Sequence, residues 1–221
     1  KLFNECPTSS KIANYLARSY LIYDEFAKAA VAFEHAADVA SNVQRKIARL
    51  GEAAVAYQKD GNAIRALDLL ARAKLISAES GQGEADVLEA ERNLAKARKE
   101  DDTLIASMER LLEINRSDNE TRFGLAYKYS ELERDDLAAL HYSRIPYSDR
   151  SALTWNNLGV SLDRLRLPVK SVSAYRRSEE RNETLAMSNL AIKMLDAGFL
   201  EEAQAICDRA LSEKDHHKNV D

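Results

Sequence analysis

Residues 155–178 read WNNLGVSLDRLRLPVKSVSAYRRS. Trp155, Leu158, Gly159 and Leu162 fall three and four residues apart, and so do Ser171, Tyr175 and Ser178. Each set marks one stripe along a helix. Pro168 stands between them, where a first-turn proline is tolerated. The stretch therefore predicts two helices joined by a short turn. A small residue such as Gly159 lets two helix axes approach where they cross, and a large residue fills the space beside it.

The same arrangement recurs along the chain. It is present as Leu16-Ala17, Tyr20, Ala29, Phe33 and Ala36 near the start. It returns as Ala53-Ala54, Tyr57, Gly61, Ala66, Leu70 and Ala73. Two further copies are Leu125-Ala126, Tyr129, Ala138, Tyr142 and Ile145, and Leu190-Ala191, Met194, Gly198, Ala203, Cys207 and Ala210. The small residue thus falls at 17, 54, 126, 159 and 191, and the gap between 54 and 126 is wide enough for one more unit. Val87, Leu88, Ala90, Leu94 and Ala95 supply one apolar face there, and Leu104, Met108, Leu111 and Leu112 another. This third unit is degenerate and is expected to deviate most in length or angle. Each helix pair leaves an apolar face that only the next pair can cover, so stacking supplies the core.

The pattern resembles the tetratricopeptide repeat over nearly the full length, with Leu162 for the usual Tyr and Ser171 and Ser178 for Ala. The terminal proline of that repeat is missing; Arg116 and Glu183 stand near its place. Residues Glu183–Ala191 also resemble Sel-type repeats. The resemblance implies an all-α, right-handed α-solenoid of about six antiparallel helix pairs. The repeats run roughly over 10–40, 47–77, 84–115, 119–147, 152–182 and 184–214, within a single solenoid over 1–221. It further implies a concave groove, lined by the first helix of each pair, that binds peptides or partner helices.

Boundary residues agree with this division. Thr8, Ser9 and Ser10 offer caps for the first helix. Asp60-Gly61-Asn62 breaks the second pair, and Ser80-Gly81-Gln82-Gly83 precedes the third. Pro146 is expected to end a helix before Ser148-Asp149 caps the next. Ala197-Gly198 closes the first helix of the last pair. The chain opens on Lys1 and closes on the polar run Asp215–Asp221, which suggests a piece of a longer protein.

Composition narrows the function. Only 7 Gly and 3 Pro in 221 residues mean few turns, which disfavours an all-β fold. The net charge of −4 lacks the basic excess of a nucleic-acid binder, so nucleic acid is not the expected partner. The most basic stretch holds Arg164, Arg166, Lys170, Arg176, Arg177 and Arg181 beside Glu179 and Glu180. It reads as a solvated helix face, with a phosphate- or acid-binding patch as the rival reading. Cys6 and Cys207 are too few for a disulfide scaffold and lie at opposite ends of the repeat array. No apolar run is long enough to span a bilayer, and no signal peptide is visible. A cytoplasmic location is the expectation.

The chain shows no cluster of reactive side chains at a workable spacing. Of the four histidines, His35 and His141 sit beside core positions on second helices, and the adjacent His216-His217 would point apart on a helix. No metal set follows. Gly159-Val160-Ser161 lacks the second glycine of a nucleophile elbow, because Asp163 stands there. Gly81-Gln82-Gly83 lacks the preceding strand and third glycine of a dinucleotide loop. Glu131, Glu133, Asp135 and Asp136 bracket a turn and suit capping and solubility. Catalysis, cofactor and metal are therefore not expected.

A partner-binding surface is expected instead. The groove stripe of the first helices holds Phe123, Tyr127 and Ser130, then Asn156, Val160 and Asp163, then Ser188, Ile192 and Leu195. Earlier repeats place Asn14, Arg18 and Leu21, then Val55 and Gln58, on it. With Gly51 and Val55 in the second repeat, the family's carboxylate clamp does not assemble. Phe123, Tyr127, Val160, Ile192 and Leu195 form an apolar strip edged by Asn156 and Ser188. Such a strip marks an interaction site or is covered by a neighbouring helix. The leading expectation is a protein–protein interaction scaffold that binds a protein or peptide ligand there. The alternative is a regulatory or structural arm of a larger enzyme or effector. Self-association stays open.

Overall fold

A computed structural model describes residues 9–213. Within them the chain is helical, with no strand among the described residues. Twelve α-helices form six antiparallel pairs. The pairs are α1 (Ser10–Ile22) and α2 (Phe26–Asp38), α3 (Val43–Lys59) and α4 (Ala63–Ser80), and α5 (Glu84–Arg98) and α6 (Asp101–Ile114). Then follow α7 (Asn119–Glu131) and α8 (Asp135–Arg144), α9 (Ala152–Arg164) and α10 (Pro168–Glu179), and α11 (Thr184–Asp196) and α12 (Leu200–Ser212). The chain divides between Arg116 and Ser117 into two compact units of three pairs each.

Helix starts follow from local capping. The side chains of Ser9, Asn42, Asn62, Asp118 and Ser151 each accept a hydrogen bond from a backbone N–H of the first turn. Pro168 occupies the first turn of α10, where its missing N–H costs no bond. One expected boundary is different. After α8 ends, Pro146 leads into a 3-10 turn over Tyr147–Asp149, and Ser151 caps the next helix, not Ser148 or Asp149. Arg150 explains the shift. Its guanidinium donates to the carbonyls of Ile145 and Ser143 and stacks 4.5 Å from the Trp155 ring centroid, which holds the segment off the helix axis.

Every pair turns the same way. Asp24, Gly61, Lys99, Glu133, Arg166 and Gly198 lie between the two helices of successive pairs, all with positive φ. The residue after each sends its N–H back to a carbonyl in the last turn of the first helix, at 2.8–3.0 Å. The acceptors are Tyr20, Tyr57, Ala95, Tyr129, Leu162 and Met194. This is the left-handed closure that satisfies carbonyls at a helix end. Counted on these turns, the third pair takes an uneven share of the gap. Its acceptor Ala95 occupies the place of Tyr20, which sets Arg92 where the other pairs carry Ala or Gly.

Packing in that pair changes accordingly. With Arg92 at the small position, close approach comes from Gly51 of α3. A Cβ there would lie 2.5 Å from the Ala90 Cβ, so α5 seats tightly along α3. The excess in length falls on the second pair, whose helices of 17 and 18 residues outrun the 15 and 14 of the third. Elsewhere the small residues act as read from the sequence. Ala17, Ala54, Ala126 and Ala191 are buried, and a Cβ on Gly159 would lie 2.5 Å from the Tyr175 ring. The core of the first unit centres on Phe33, Ile47, Leu50 and Leu69. One core of the second centres on Tyr175, Met187, Leu190 and Ile206.

Two stability predictions follow from this geometry. Glycine relieves the left-handed penalty of about 1–2 kcal/mol carried by an L-residue and adds some unfolded-state entropy. Glu133→Gly and Arg166→Gly should each stabilise by about 0.5–1 kcal/mol in urea denaturation, while Gly198→Ala should destabilise; a loss at both glycine variants would refute the turn assignment. Gly159→Ala gains about 1 kcal/mol of helix propensity but overpacks the Tyr175 ring, at about 1–3 kcal/mol. Its unfolding midpoint should fall, and should recover when Tyr175 is also changed to Leu.

Candidate partner-binding groove

The first helices of the second unit are α7, α9 and α11. Side-chain bonds tie them together. Asn189 of α11 donates to the Asn156 side-chain Oδ1 of α9 at 3.0 Å. Asn156 donates in turn to Asn157 at 3.3 Å, and Asn157 to the Tyr142 hydroxyl of α8 at 3.3 Å. Lys193 of α11 pairs with Asp163 of α9 at 2.8 Å, which raises the lysine's pKa. Arg164 reaches the Ser130 carbonyl of α7 at 3.3 Å and the Asp135 carboxylate at 3.5 Å.

The seven residues expected at the groove separate into three sets. Tyr127, Ile192 and Leu195 stand 49%, 49% and 50% exposed. Phe123 is half-buried and meets the Tyr142 ring edge-on, with centroids 5.6 Å apart. Val160 is half-buried against the core of the last two pairs. Asn156 and Ser188 are buried, at 2% and 7%. Two before the Leu, Asn156 faces the neighbouring first helix, as Gly51 does, while after the small residue Tyr127 and Ile192 face outward. Ser130 and Asp163 are taken up by Arg164 and Lys193. Sequence reading missed Asn157 and Asn189; the signal was available, since each directly precedes the Leu of its repeat.

In the first unit, Arg18 pairs with Glu52 at 2.7 Å, and Gln58 accepts from Arg98 at 3.4 Å. Leu21 and Val55 line a cleft on the same face, together with Arg18. Asn14 is half-buried.

Residues considered for chemistry take structural places. Ser161 is fully buried, and Gly159 lies beneath Tyr175. His35 and His141 are half-buried, the latter with its ring 5.7 Å from that of Tyr129. Asp135 opens α8 and is buried against Arg164. Cys207 is half-buried beside the core of the last pair. Cys6, Thr8, His216 and His217 lie outside the described residues. Among the described residues no group of His, Cys, Asp and Glu is placed to hold a metal ion, and no helix is long and apolar enough to cross a membrane. Of the basic stretch, Arg164 serves Asp135 and Arg177 pairs with Glu180 at 3.0 Å. Arg181 donates to the Arg177 carbonyl.

Burial pushes the Tyr142 and Tyr175 hydroxyls up to about 12. The folded state therefore keeps protons that the unfolded chain releases near pH 10. Stability contributed by these groups is full below about pH 10 and is lost as pH rises through about 12. Urea midpoints should fall across that window, and Tyr142→Phe with Tyr175→Phe should flatten the fall; an unchanged slope in the double variant would exclude these hydroxyls as its source.

No family model and no curated protein sequence matches the chain. Solved structures do. A signal-transduction ATPase of the STAND class with a tetratricopeptide repeat sensor, from Pyrococcus horikoshii, matches over 90% of this chain with a TM-score of 0.70 and 15% identity. This chain spans only 34% of that protein. A tetratricopeptide repeat protein from Parabacteroides merdae matches over 96% of this chain and 82% of its own, with a TM-score of 0.63 and 14% identity. YrrB, described as a tetratricopeptide repeat protein with an unusual peptide-binding site, matches over 81% and 89%, with a TM-score of 0.54 and 16% identity. The chain is an all-α helical-repeat protein with the fold of the tetratricopeptide-repeat solenoids.

Proposed function

We propose that this chain is a non-catalytic protein-interaction scaffold, and that a peptide or partner helix docks on the first-helix face of the second unit. One observation carries the reading. Tyr127, Ile192 and Leu195 stand about half exposed on the first and last of three first helices tied by side-chain bonds, and stacking the repeats does not require them. Contiguous apolar surface marks an interaction site, and these three groups are read as parts of one such patch. An amphipathic helix or extended segment could lay its apolar residues against them, with Phe123 and Val160 behind and Asn156 and Ser188 fixing the wall. YrrB, with its peptide-binding site on the same fold, supports the class of ligand. The STAND ATPase, in which the repeats are one part of a larger chain, supports the second reading, a regulatory arm of an enzyme or effector.

The test begins with selection of binders from a displayed peptide library. Tyr127→Ala and Ile192→Asp should each weaken the selected peptide by about 2 kcal/mol or more, roughly 30-fold, because central anchors carry most of the binding energy. Melting temperatures should stay within a few degrees of the parent. If melting collapses together with binding, these side chains are core and the groove reading fails. If neither changes, the partner docks elsewhere.

A further inference from the structure

The first-helix face of the first unit holds a cleft of about 450 Å³. Its floor is apolar, built from Leu21 of α1, Val55 and Ala56 of α3 and Ala97 of α5 above the buried Phe33 ring. Its rim is charged, and the charges do not cancel. Glu52 is claimed twice from within the protein, by Arg18 at 2.7 Å and by Arg49. Lys59 and Lys96 also line the cleft, both are exposed, and among the described residues neither has a carboxylate partner. Lys59 Nζ sits 5.2 Å from the Phe26 ring centroid, which steadies the ammonium at the rim without neutralising it.

The shape says what spans it. Packed helices lie about 8–10 Å apart, so a ligand touching α1, α3 and α5 crosses about 16–20 Å, the reach of about five or six extended residues. We propose that this cleft is a second docking site, separate from the groove of the second unit, for an extended peptide in which an acidic side chain adjoins an aliphatic or aromatic one. The apolar side chain rests on Leu21, Val55 and Ala97. The carboxylate lies between Lys59 and Lys96, the two lining cations without a carboxylate partner among the described residues. This site does not depend on the reading of the second unit.

The experiment is affinity selection by the full chain from a synthetic library of acetylated, amidated hexapeptides, in which only side chains carry carboxylates. Retained peptides should be enriched in Asp or Glu next to Leu, Ile or Phe, and their affinity by fluorescence anisotropy should fall as salt is raised. Lys59→Gln with Lys96→Gln should weaken them roughly tenfold, and Lys59→Arg with Lys96→Arg should restore them, with circular dichroism melts unchanged. Ile192→Asp should leave them untouched, which separates this site from the other. Retention of no peptide, absence of acidic enrichment, equal binding by the Gln variant, or loss with Ile192→Asp would each overturn the proposal. If free C-terminal hexapeptides alone bind, the acid is a chain terminus and the side-chain assignment is wrong.

Discussion

Close approach of two helices across a small side chain is the constraint on which the rest of this structure depends. Gly159 shows it most directly, because the Tyr175 ring occupies the volume its Cβ would need. Ala17, Ala54, Ala126 and Ala191 hold the same place in their repeats and are buried. Where the small residue is lost, at Arg92, the close contact of α5 lies between pairs, through Gly51 of α3 against Ala90. That contact seats α5 alongside α3. The cleft of the first unit is walled by these two helices and α1.

The repeat was legible because its demands are steric and local. A small residue next to Leu or Ala, a large residue three positions on, and a second small–large–small set on the following helix leave a mark that repeats along the chain. The turns were legible only in part. Gly61 and Gly198 announce a left-handed residue and Asp24 tolerates the conformation, whereas Lys99, Glu133 and Arg166 adopt it with nothing in their side chains to ask for it. The hairpin geometry imposes it on them from outside. The register of the third pair was hidden for a related reason, since Ala95 replaces the usual ring and Arg92 the usual small residue.

At the candidate groove, the apolar residues were readable as departures from the repeat pattern, and Tyr127, Ile192 and Leu195 do stand exposed. Asn156 and Ser188 were read as edges of an open strip and are buried instead. Spacing along one helix fixes a side chain's direction but not the distance to the next helix. Only the tertiary packing decides whether a position near the seam is covered. The asparagine chain from Asn189 through Asn156 and Asn157 to Tyr142 needed that knowledge too.

That chain also sets a difference between the two units. The Asn156 amide is buried, and losing its partner would cost about 1–3 kcal/mol, so its bond to Asn189 resists sliding between α9 and α11. In the second unit the Asn189–Asn156 bond and the Lys193–Asp163 pair fix α11, which carries Ile192, against α9, which carries Val160. Polar contacts hold the wall there, and apolar groups face outward. In the first unit the assignment is reversed. Glycine and alanine set the spacing of α3 and α5, apolar groups line the floor, and charge is left at the rim. One fold thereby presents two surfaces of different chemistry, because different residues were used to meet the same requirement of close helix packing.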